Sequence, residues 1–113
     1  MILVVDDSSF ARAALTHALR QRGLDAIVVA SVAEVDVGRA YDAAVLDVEI
    51  GTESGVELAH RLRRSWPRLP IAFLTATPET AHRAHAEMLG PVFTKDDSLA
   101  IVAEWALGVR TPT

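Results

Sequence analysis

The sequence predicts an α/β domain built on a five-stranded, doubly wound parallel sheet with helices on both faces. Five short apolar runs alternate with segments in which apolar residues recur at helical spacing. Strands separated by helices pair in parallel through right-handed crossovers, which gives a three-layer α/β/α arrangement of the (βα)5 type. The length of 113 residues suits one domain, and half of the residues are apolar, which is enough for a buried core.

The first strand and the first helix form the clearest pair of elements. Residues 2–5 are all apolar, as is typical of a strand buried on both faces. Ser8 and Ser9 can cap the following helix, in which apolar residues recur every three or four positions, and Gly23 suits its end. The next predicted elements are a strand at residues 26–30, a weak, short helix at residues 31–37 and a strand at residues 43–46.

A polar loop opens the second half of the chain. It covers residues 49–54 and contains Gly51, and the helix predicted over residues 56–66 is ended by Pro67. The remaining predicted elements are a strand at residues 71–74, a helix that begins at Thr77-Pro78-Glu79, a very short strand at residues 92–93 and a last helix at residues 97–107.

Charge and composition exclude several function classes. The net charge of −4 argues against a nucleic-acid-binding surface. No apolar stretch is long enough to span a membrane, and the apolar start is too short for a signal peptide. Because the chain has no cysteine, it carries no disulfide framework and no thiolate chemistry. We therefore expect a cytoplasmic domain that contacts neither nucleic acid nor membrane directly.

Three aspartates follow two of the predicted strands. Asp6 and Asp7 come after the first strand and Asp47 comes after the third. Because the carboxyl ends of parallel strands meet at one edge, we expect these carboxylates to lie close together. Two such charges repel by about 4 kcal/mol at about 4 Å for an effective dielectric of about 20. A cation among them relieves that repulsion, and oxygen ligands that leave room for water suit Mg²⁺.

A hydroxyl and an ammonium follow the other two strands of this edge. Thr75 comes after the fourth strand and Lys95 after the fifth. Lys95 is the single lysine beside ten arginines, which indicates either chance or a position that needs a compact ammonium. These groups can hold phosphoryl oxygens, and an aspartate can itself accept a phosphoryl group as an acyl phosphate.

With these residues in this order, the chain resembles the receiver domain of bacterial two-component response regulators, over essentially its whole length. That family has a flavodoxin-like fold of the chemotaxis-regulator kind. The resemblance predicts a receiver domain over residues 1–108 and a short tail at residues 109–113. The matching segments are Ile2-Leu3-Val4-Val5-Asp6-Asp7-Ser8, Leu46-Asp47 with Gly55 eight residues later, Phe73-Leu74-Thr75-Ala76 and Thr94-Lys95.

The resemblance implies a phosphoryl-accepting site. Asp47 would accept the phosphoryl group from a partner histidine kinase or phosphotransfer protein. Thr75 would hydrogen-bond a phosphoryl oxygen, and Lys95 would pair first with Asp47 and then with the phosphoryl group. The protein would not be an enzyme beyond promoting its own phosphorylation and dephosphorylation.

The resemblance also implies a Mg²⁺ site beside the acceptor. Asp7 and Asp47 would bind the ion directly, Asp6 through water, and Glu49 through its backbone carbonyl. The Glu49 side chain could also contact the metal or bar the attacking water, or it could point to solvent.

Three positions depart from the usual pattern of the family. Gly51 stands where the family usually has proline, which predicts a looser loop. Asp96 follows Lys95 where the family often has a proline with a cis bond, and we expect a trans bond here. Val92, followed by Phe93, stands where the family often has an aromatic residue that swings inward on activation.

Partner surfaces are predicted at the first and last helices. Kinase contact in this family makes Phe10, Arg12 and Ala13 docking candidates. A downstream protein target would read the C-terminal face. In the last helix, Ile101 and Trp105 lie off the apolar stripe. Two interpretations follow: they form a contact surface for a homodimer or a target, or the helix is simply well buried.

Two other functions stay open at this point. One is a pseudo-receiver, a protein-interaction module that is not phosphorylated, which the unusual neighbours of Lys95 favour. The other is a Mg²⁺-dependent phosphatase or hydrolase. That activity would need a positioned acid or base near Asp47, and the sequence offers none, because its histidines fall on helices.

Overall fold

In the computed structural model, which describes residues 1–76, 83–97 and 99–110, five parallel strands form the central sheet. The strands of the chain are β1 (Ile2–Val5), β2 (Ala26–Val29), β3 (Ala43–Asp47), β4 (Glu49–Ile50), β5 (Glu53–Ser54), β6 (Ile71–Thr75) and β7 (Val92–Thr94). The helices are α1 (Ser9–Arg20), α2 (Gly55–Ser65), α3 (Arg83–Leu89) and α4 (Leu99–Arg110). The sheet order is β2-β1-β3-β6-β7, and β4 and β5 form a separate hairpin.

The register of the sheet brings the carboxyl ends of its inner strands into one row. Val5 of β1 pairs with Leu46 of β3, and Asp47 pairs with Leu74 of β6. Thr75 in turn pairs with Thr94, at the end of β7. The residues that follow these pairs therefore share one edge, as the sequence predicts.

Alternating strand residues build a separate core on each face of the sheet. One core contains Leu3 and Phe73 and is covered by buried residues of α2 and α3, such as Leu62 and Ala86. The other contains Ile2 and Val4. It is covered by buried residues of α1 and α4, namely Leu15, Ala18, Leu19, Val102, Ala103 and Ala106. The predicted doubly wound, three-layer, flavodoxin-like fold is confirmed.

Serine caps set the starts of the two helices that flank the carboxylates. Ser8 precedes α1, and its side chain accepts a hydrogen bond from the Ala11 N–H at 3.2 Å. Ser54 precedes α2 and accepts from the Val56 N–H at 3.2 Å and from the Glu57 N–H. Each cap satisfies N–H groups that the first helical turn leaves without partners.

The predicted helix at residues 31–37 is wrong. The structure has a single 3₁₀ turn there, Val32–Glu34, and Val35 is already extended. The segment is too short to nucleate an α-helix, and its β-branched valines have low helix propensity. Four α-helices are present in the described part of the chain, and the predicted helix start at Thr77-Pro78-Glu79 lies outside it.

The predicted irregular loop at residues 49–54 is a short antiparallel hairpin. Glu49 pairs with Ser54 and Ile50 pairs with Glu53. Gly51 adopts a φ of +61° at the turn, a conformation that glycine reaches without strain. The sequence did not indicate these two strands, because a strand of two residues is too short to show an alternation of polar and apolar residues.

Among the described residues the last helix covers Leu99–Arg110, so it extends beyond its predicted end at residue 107, and Asp97, its predicted start, lies outside it. Its predicted stripe faces the sheet, with Val102, Ala103 and Ala106 buried. Ile101 is 52% exposed, whereas Trp105 is half-buried against the core that α4 covers. No helix in the described ranges is long and apolar enough to cross a membrane.

Candidate functional site

The three aspartates predicted to cluster do so at the carboxyl edge of the sheet. Asp6, Asp7 and Asp47 each offer a carboxylate oxygen, and these oxygens all lie within 4.8 Å of one another. Asp6 and Asp47 are buried, whereas Asp7 is exposed. The cluster therefore has two carboxylates set into the protein and one at the rim.

Lys95 lies between the two buried carboxylates. Its Nζ donates a hydrogen bond to Asp47 Oδ2 at 3.1 Å and to Asp6 Oδ1 at 3.0 Å. Asp6 Oδ2 is also 2.9 Å from Nζ, but this contact is an ion pair without hydrogen-bond geometry. The only lysine of the chain thus neutralises part of the charge of the cluster.

The pKa values of this trio reflect burial and mutual charge. Burial, followed by the charge of Asp6, raises the pKa of Asp47 to about 6, although the hydrogen bond from Lys95 acts in the opposite direction. Burial alone would lower the pKa of Lys95, but its hydrogen bonds to Asp6 and Asp47 outweigh burial and raise it. Lys95 therefore stays positively charged, and it compensates only part of the negative charge of Asp47.

Backbone N–H groups hold each of the three carboxylates. Asp6 Oδ1 accepts from the Ser8 N–H at 2.9 Å, and Asp47 Oδ1 accepts from the Glu49 N–H at 3.2 Å. Asp7 Oδ2 accepts from the Gly51 N–H at 3.2 Å. The first two bonds are local, whereas the third joins the β1–α1 loop to the β4–β5 hairpin.

The remaining predicted site residues lie on the same edge. Thr75 is buried at the end of β6, and its carbonyl accepts from the Lys95 N–H at 2.8 Å, which anchors the loop that carries the lysine. The Lys95–Asp96 bond is trans, as predicted, since the described residues contain no cis peptide. Val92 is half-buried against the core that α2 and α3 cover. The Glu49 side chain is exposed beside Asp47.

Gly55 has a role at the site that sequence reasoning missed. A Cβ atom on Gly55 would lie 1.9 Å from the Asp47 carbonyl oxygen, closer than any real contact. The Gly55 N–H donates to the Val48 carbonyl at 2.8 Å. The start of α2 therefore packs directly against the backbone of Asp47. The glycine eight residues after Asp47 was the available signal, but its spacing alone does not reveal a backbone contact.

Arg12 is a second contributor that the sequence did not reveal in this role. Its guanidinium donates to the Asp6 carbonyl at 2.9 Å, from the first turns of α1. Predicted only as a docking residue, it also holds the end of β1 in place. No local pattern identifies this contact, because an arginine on a half-exposed helix face is usually solvated.

The donor set fits a Mg²⁺ ion. Carboxylate oxygens are the ligands that this ion prefers, and an exposed rim leaves coordination positions for water and phosphate oxygens. Asp6 Oδ2 is buried, yet it accepts no hydrogen bond from the described residues. The cation near it is Lys95 Nζ at 2.9 Å, which is shared with Asp47, so part of the negative charge of the cluster stays unneutralised and a second cation can compensate for it. Asp6, Asp7 and Asp47 are the side chains that could hold the ion.

Comparison with known proteins agrees with this geometry. A family model described as "Response regulator receiver domain" matches residues 2–94. The Transcriptional regulatory protein TcrA of Mycobacterium tuberculosis (strain ATCC 25618 / H37Rv) is 43% identical over 79 residues, which cover 66% of this chain and 31% of TcrA. The chain therefore spans about a third of the length of this relative.

Solved structures share the fold. A CheY-like response regulator receiver domain protein from Methanospirillum hungatei JF-1 has a TM-score of 0.84 at 17% identity, covering 96% of this chain and 91% of its own. Chemotaxis response regulator CheY4 of Vibrio cholerae has a TM-score of 0.80 at 22% identity, covering 96% of both chains. A Burkholderia pseudomallei response regulator, solved with a phosphorylated aspartic acid, calcium ion and citrate, has a TM-score of 0.76 at 20% identity, covering 95% and 70%.

Proposed function

The chain belongs to the response regulator receiver domain family, and from this premise we propose that Asp47 accepts a phosphoryl group in a Mg²⁺-dependent phosphorelay. The donor is a sensor histidine kinase or a phosphotransfer protein. The observation that carries the proposal is the position of Lys95, whose Nζ bridges Asp6 and Asp47. Lys95 contacts Asp6 as well, and we choose Asp47 as the acceptor because it stands in the segment that resembles the acceptor segment of the family, Leu46-Asp47 with Gly55 eight residues later.

Asp47 supplies the nucleophile. One of its carboxylate oxygens attacks the phosphorus of the donor's phosphohistidine, a P–O bond forms as the P–N bond breaks, and the imidazole leaves with the electron pair. The product is an acyl phosphate on Asp47. The Burkholderia pseudomallei response regulator, which carries a phosphorylated aspartic acid and a calcium ion, supports this assignment by analogy of fold.

The surrounding residues position the acceptor and neutralise charge. When bound, Mg²⁺ supplies positive charge to the phosphoryl oxygens during transfer. Asp6 and Asp7 would hold the ion together with Asp47 and the backbone carbonyl of Glu49. Lys95 pairs with Asp47 before transfer and with a phosphoryl oxygen after it, and the hydroxyl of Thr75 donates to another phosphoryl oxygen.

The signal passes on by a shift between two conformational states, which changes contacts with a downstream protein at the C-terminal face. We propose no further catalysis beyond the chain's own phosphorylation and dephosphorylation.

Phe10 is 82% exposed at the start of α1, which suits a contact with the donor. Ile101 is an exposed apolar residue on α4, which suits a homodimer or target contact. The cytoplasmic location stays a prediction.

Phosphorylation by a small-molecule donor tests the proposal. The chain is incubated with acetyl phosphate and Mg²⁺, and its intact mass is measured with and without a chelator. We expect the mass of one phosphoryl group to be added only when Mg²⁺ is present, and Asp47→Asn to remain unmodified. An unmodified wild-type chain would favour the pseudo-receiver, and rapid multiple turnover on phosphate esters would favour a hydrolase.

A further inference from the structure

The β4–β5 hairpin reaches the carboxylate cluster through one hydrogen bond. The Gly51 N–H donates to Asp7 Oδ2 at 3.2 Å, across 44 positions of sequence. Among the described residues, the Gly51 N–H is the one hydrogen-bond donor to the Asp7 carboxylate. Asp7 is exposed, so no packing holds its side chain in the way that burial holds Asp6 and Asp47.

The hairpin fixes the position of this N–H. Gly51 has a φ of +61°, and most side chains at that φ would be strained even though nothing lies within 4 Å of an added Cβ. The residue before it, Ile50, is buried in the core that α2 and α3 cover, and it pairs with Glu53 of the opposite strand. The turn is therefore anchored to the core on one side and faces the cluster on the other.

We propose that the N–H of Gly51 positions Asp7 as a metal ligand, so that the β4–β5 hairpin preorganises the exposed part of the Mg²⁺ site. This inference rests on the proposed function, because it assumes that the cluster binds Mg²⁺. The hydrogen bond to Oδ2 orients the carboxylate, which would offer an oxygen to the ion. Without it, Asp7 samples several rotamers, and ordering it on binding has an entropic cost. Gly51 is thus a positioning residue.

Replacing the peptide bond that precedes Gly51 with an ester separates the hydrogen bond from the hairpin. The ester removes the N–H and lets residue 51 keep its φ of +61°, which a proline, with its φ held at about −65°, could not adopt. Mg²⁺ affinity is measured by titration calorimetry of the folded, unphosphorylated protein, and the control is the same chain assembled with the normal peptide bond. We expect the ester variant to bind Mg²⁺ about two- to tenfold more weakly than this control, the range for immobilising one flexible side chain. Equal affinity of the two folded proteins would overturn the inference.

Amide exchange in the hairpin gives a second readout that does not depend on the ester variant. We expect Asp7→Ala to speed hydrogen exchange of the Gly51 amide by several-fold, measured by ¹⁵N NMR. The Gly23 amide, which donates to the Arg20 carbonyl at 3.0 Å far from the cluster, is the internal control and should not change. Unchanged exchange at Gly51 would refute the positioning contact.

The two proposals fail in different ways. If the wild-type chain binds no Mg²⁺ in calorimetry, the metal-dependent function fails, and the positioning role fails with it. If the wild type binds Mg²⁺ and accepts a phosphoryl group while the ester variant matches it in both, only the role of Gly51 is lost.

Discussion

Lys95 donates a hydrogen bond from Nζ to Oδ2 of Asp47 at 3.1 Å, which joins the loop after β7 to the end of β3. Lys95 is also bonded to Asp6, so one ammonium serves two buried carboxylates. Its single charge cannot compensate both of them. Burial and the charge of Asp6 keep the pKa of Asp47 raised, at about 6, in spite of its contact with a cation.

This raised pKa predicts a pH dependence of stability in the metal-free chain. Folded Asp47 holds its proton to about pH 6, whereas the unfolded residue releases it near 3.8. The stability that Asp47 contributes is therefore fully present below about pH 4 and is lost as the pH rises through about 6. The side chain of Asp47→Asn stays neutral. We therefore expect its free energy of unfolding to rise relative to that of the wild type between pH 4 and pH 7, by an amount of order 1–3 kcal/mol measured by urea unfolding.

Lys95→Gln is the companion variant for that measurement. The pKa of Lys95 is raised above its usual value, so its stabilising contribution is constant from pH 4 to 7 and does not produce the slope. Its removal should raise the pKa of Asp47 further, which carboxyl NMR titration of the metal-free protein can follow. A pKa of Asp47 that falls in Lys95→Gln would contradict the electrostatic account of the site.

Mg²⁺ should stabilise the folded chain, because it relieves repulsion among carboxylates whose oxygens lie within 4.8 Å. A ligand of the folded state alone adds about 2.7 kcal/mol at a hundredfold excess over its Kd. We expect a thermal scan to show a melting temperature that rises with Mg²⁺ concentration, and Asp7→Ala to lose most of that rise. The same shift in wild type and Asp7→Ala would show that the ion binds elsewhere.

Gly55→Ala should displace the backbone of Asp47. Its Cβ would lie 1.9 Å from the Asp47 carbonyl oxygen, so α2 or the end of β3 has to move. We expect a loss of about 1–3 kcal/mol in chemical unfolding, as for other overpacked sites, together with slower phosphorylation. Gly108→Ala is the matched control, because nothing lies within 4 Å of its added Cβ. A Gly55→Ala protein as stable and as readily phosphorylated as Gly108→Ala would contradict this packing.

Ile101 tests the proposed contact surface on α4 better than Trp105 does. Ile101 is exposed, so Ile101→Glu should leave the fold intact, whereas Trp105 packs against the core and its replacement would also destabilise the protein. If the phosphorylated chain forms a dimer through α4, light scattering should show the monomer mass for Ile101→Glu. A dimer mass retained in this variant would place the interface elsewhere.

The fold was predictable from the sequence because its three inner strands, β1, β3 and β6, are buried along their whole length and are therefore apolar runs. Each of the five apolar runs is a strand, and Asp6, Asp47, Thr75 and Lys95 follow or end these strands at the predicted edge. Placement at a strand end depends only on the order of elements and the register of a parallel sheet. The cluster of carboxylates and ammonium could therefore be inferred before any contact was known.

The features that were not predicted depend on short-range geometry without periodicity. The turn at Val32–Glu34 and the hairpin around Gly51 are too short to produce a helical or alternating pattern. The contacts of Arg12 with the Asp6 carbonyl and of Gly55 with the Asp47 backbone join segments whose approach is set by tertiary packing. These contacts determine how the carboxylates are held, which a pattern of residue types does not reveal.

The most direct test of the account is to locate the phosphoryl group within the chain. Wild-type protein is treated with acetyl phosphate and Mg²⁺, digested, and analysed by fragment mass spectrometry under conditions that preserve acyl phosphates. We expect one modified residue, Asp47, with Asp6 and Asp7 unmodified in the same digest. Modification at Asp6, at Asp7 or at a residue outside the cluster would contradict the assignment of Asp47 as the acceptor held by Lys95.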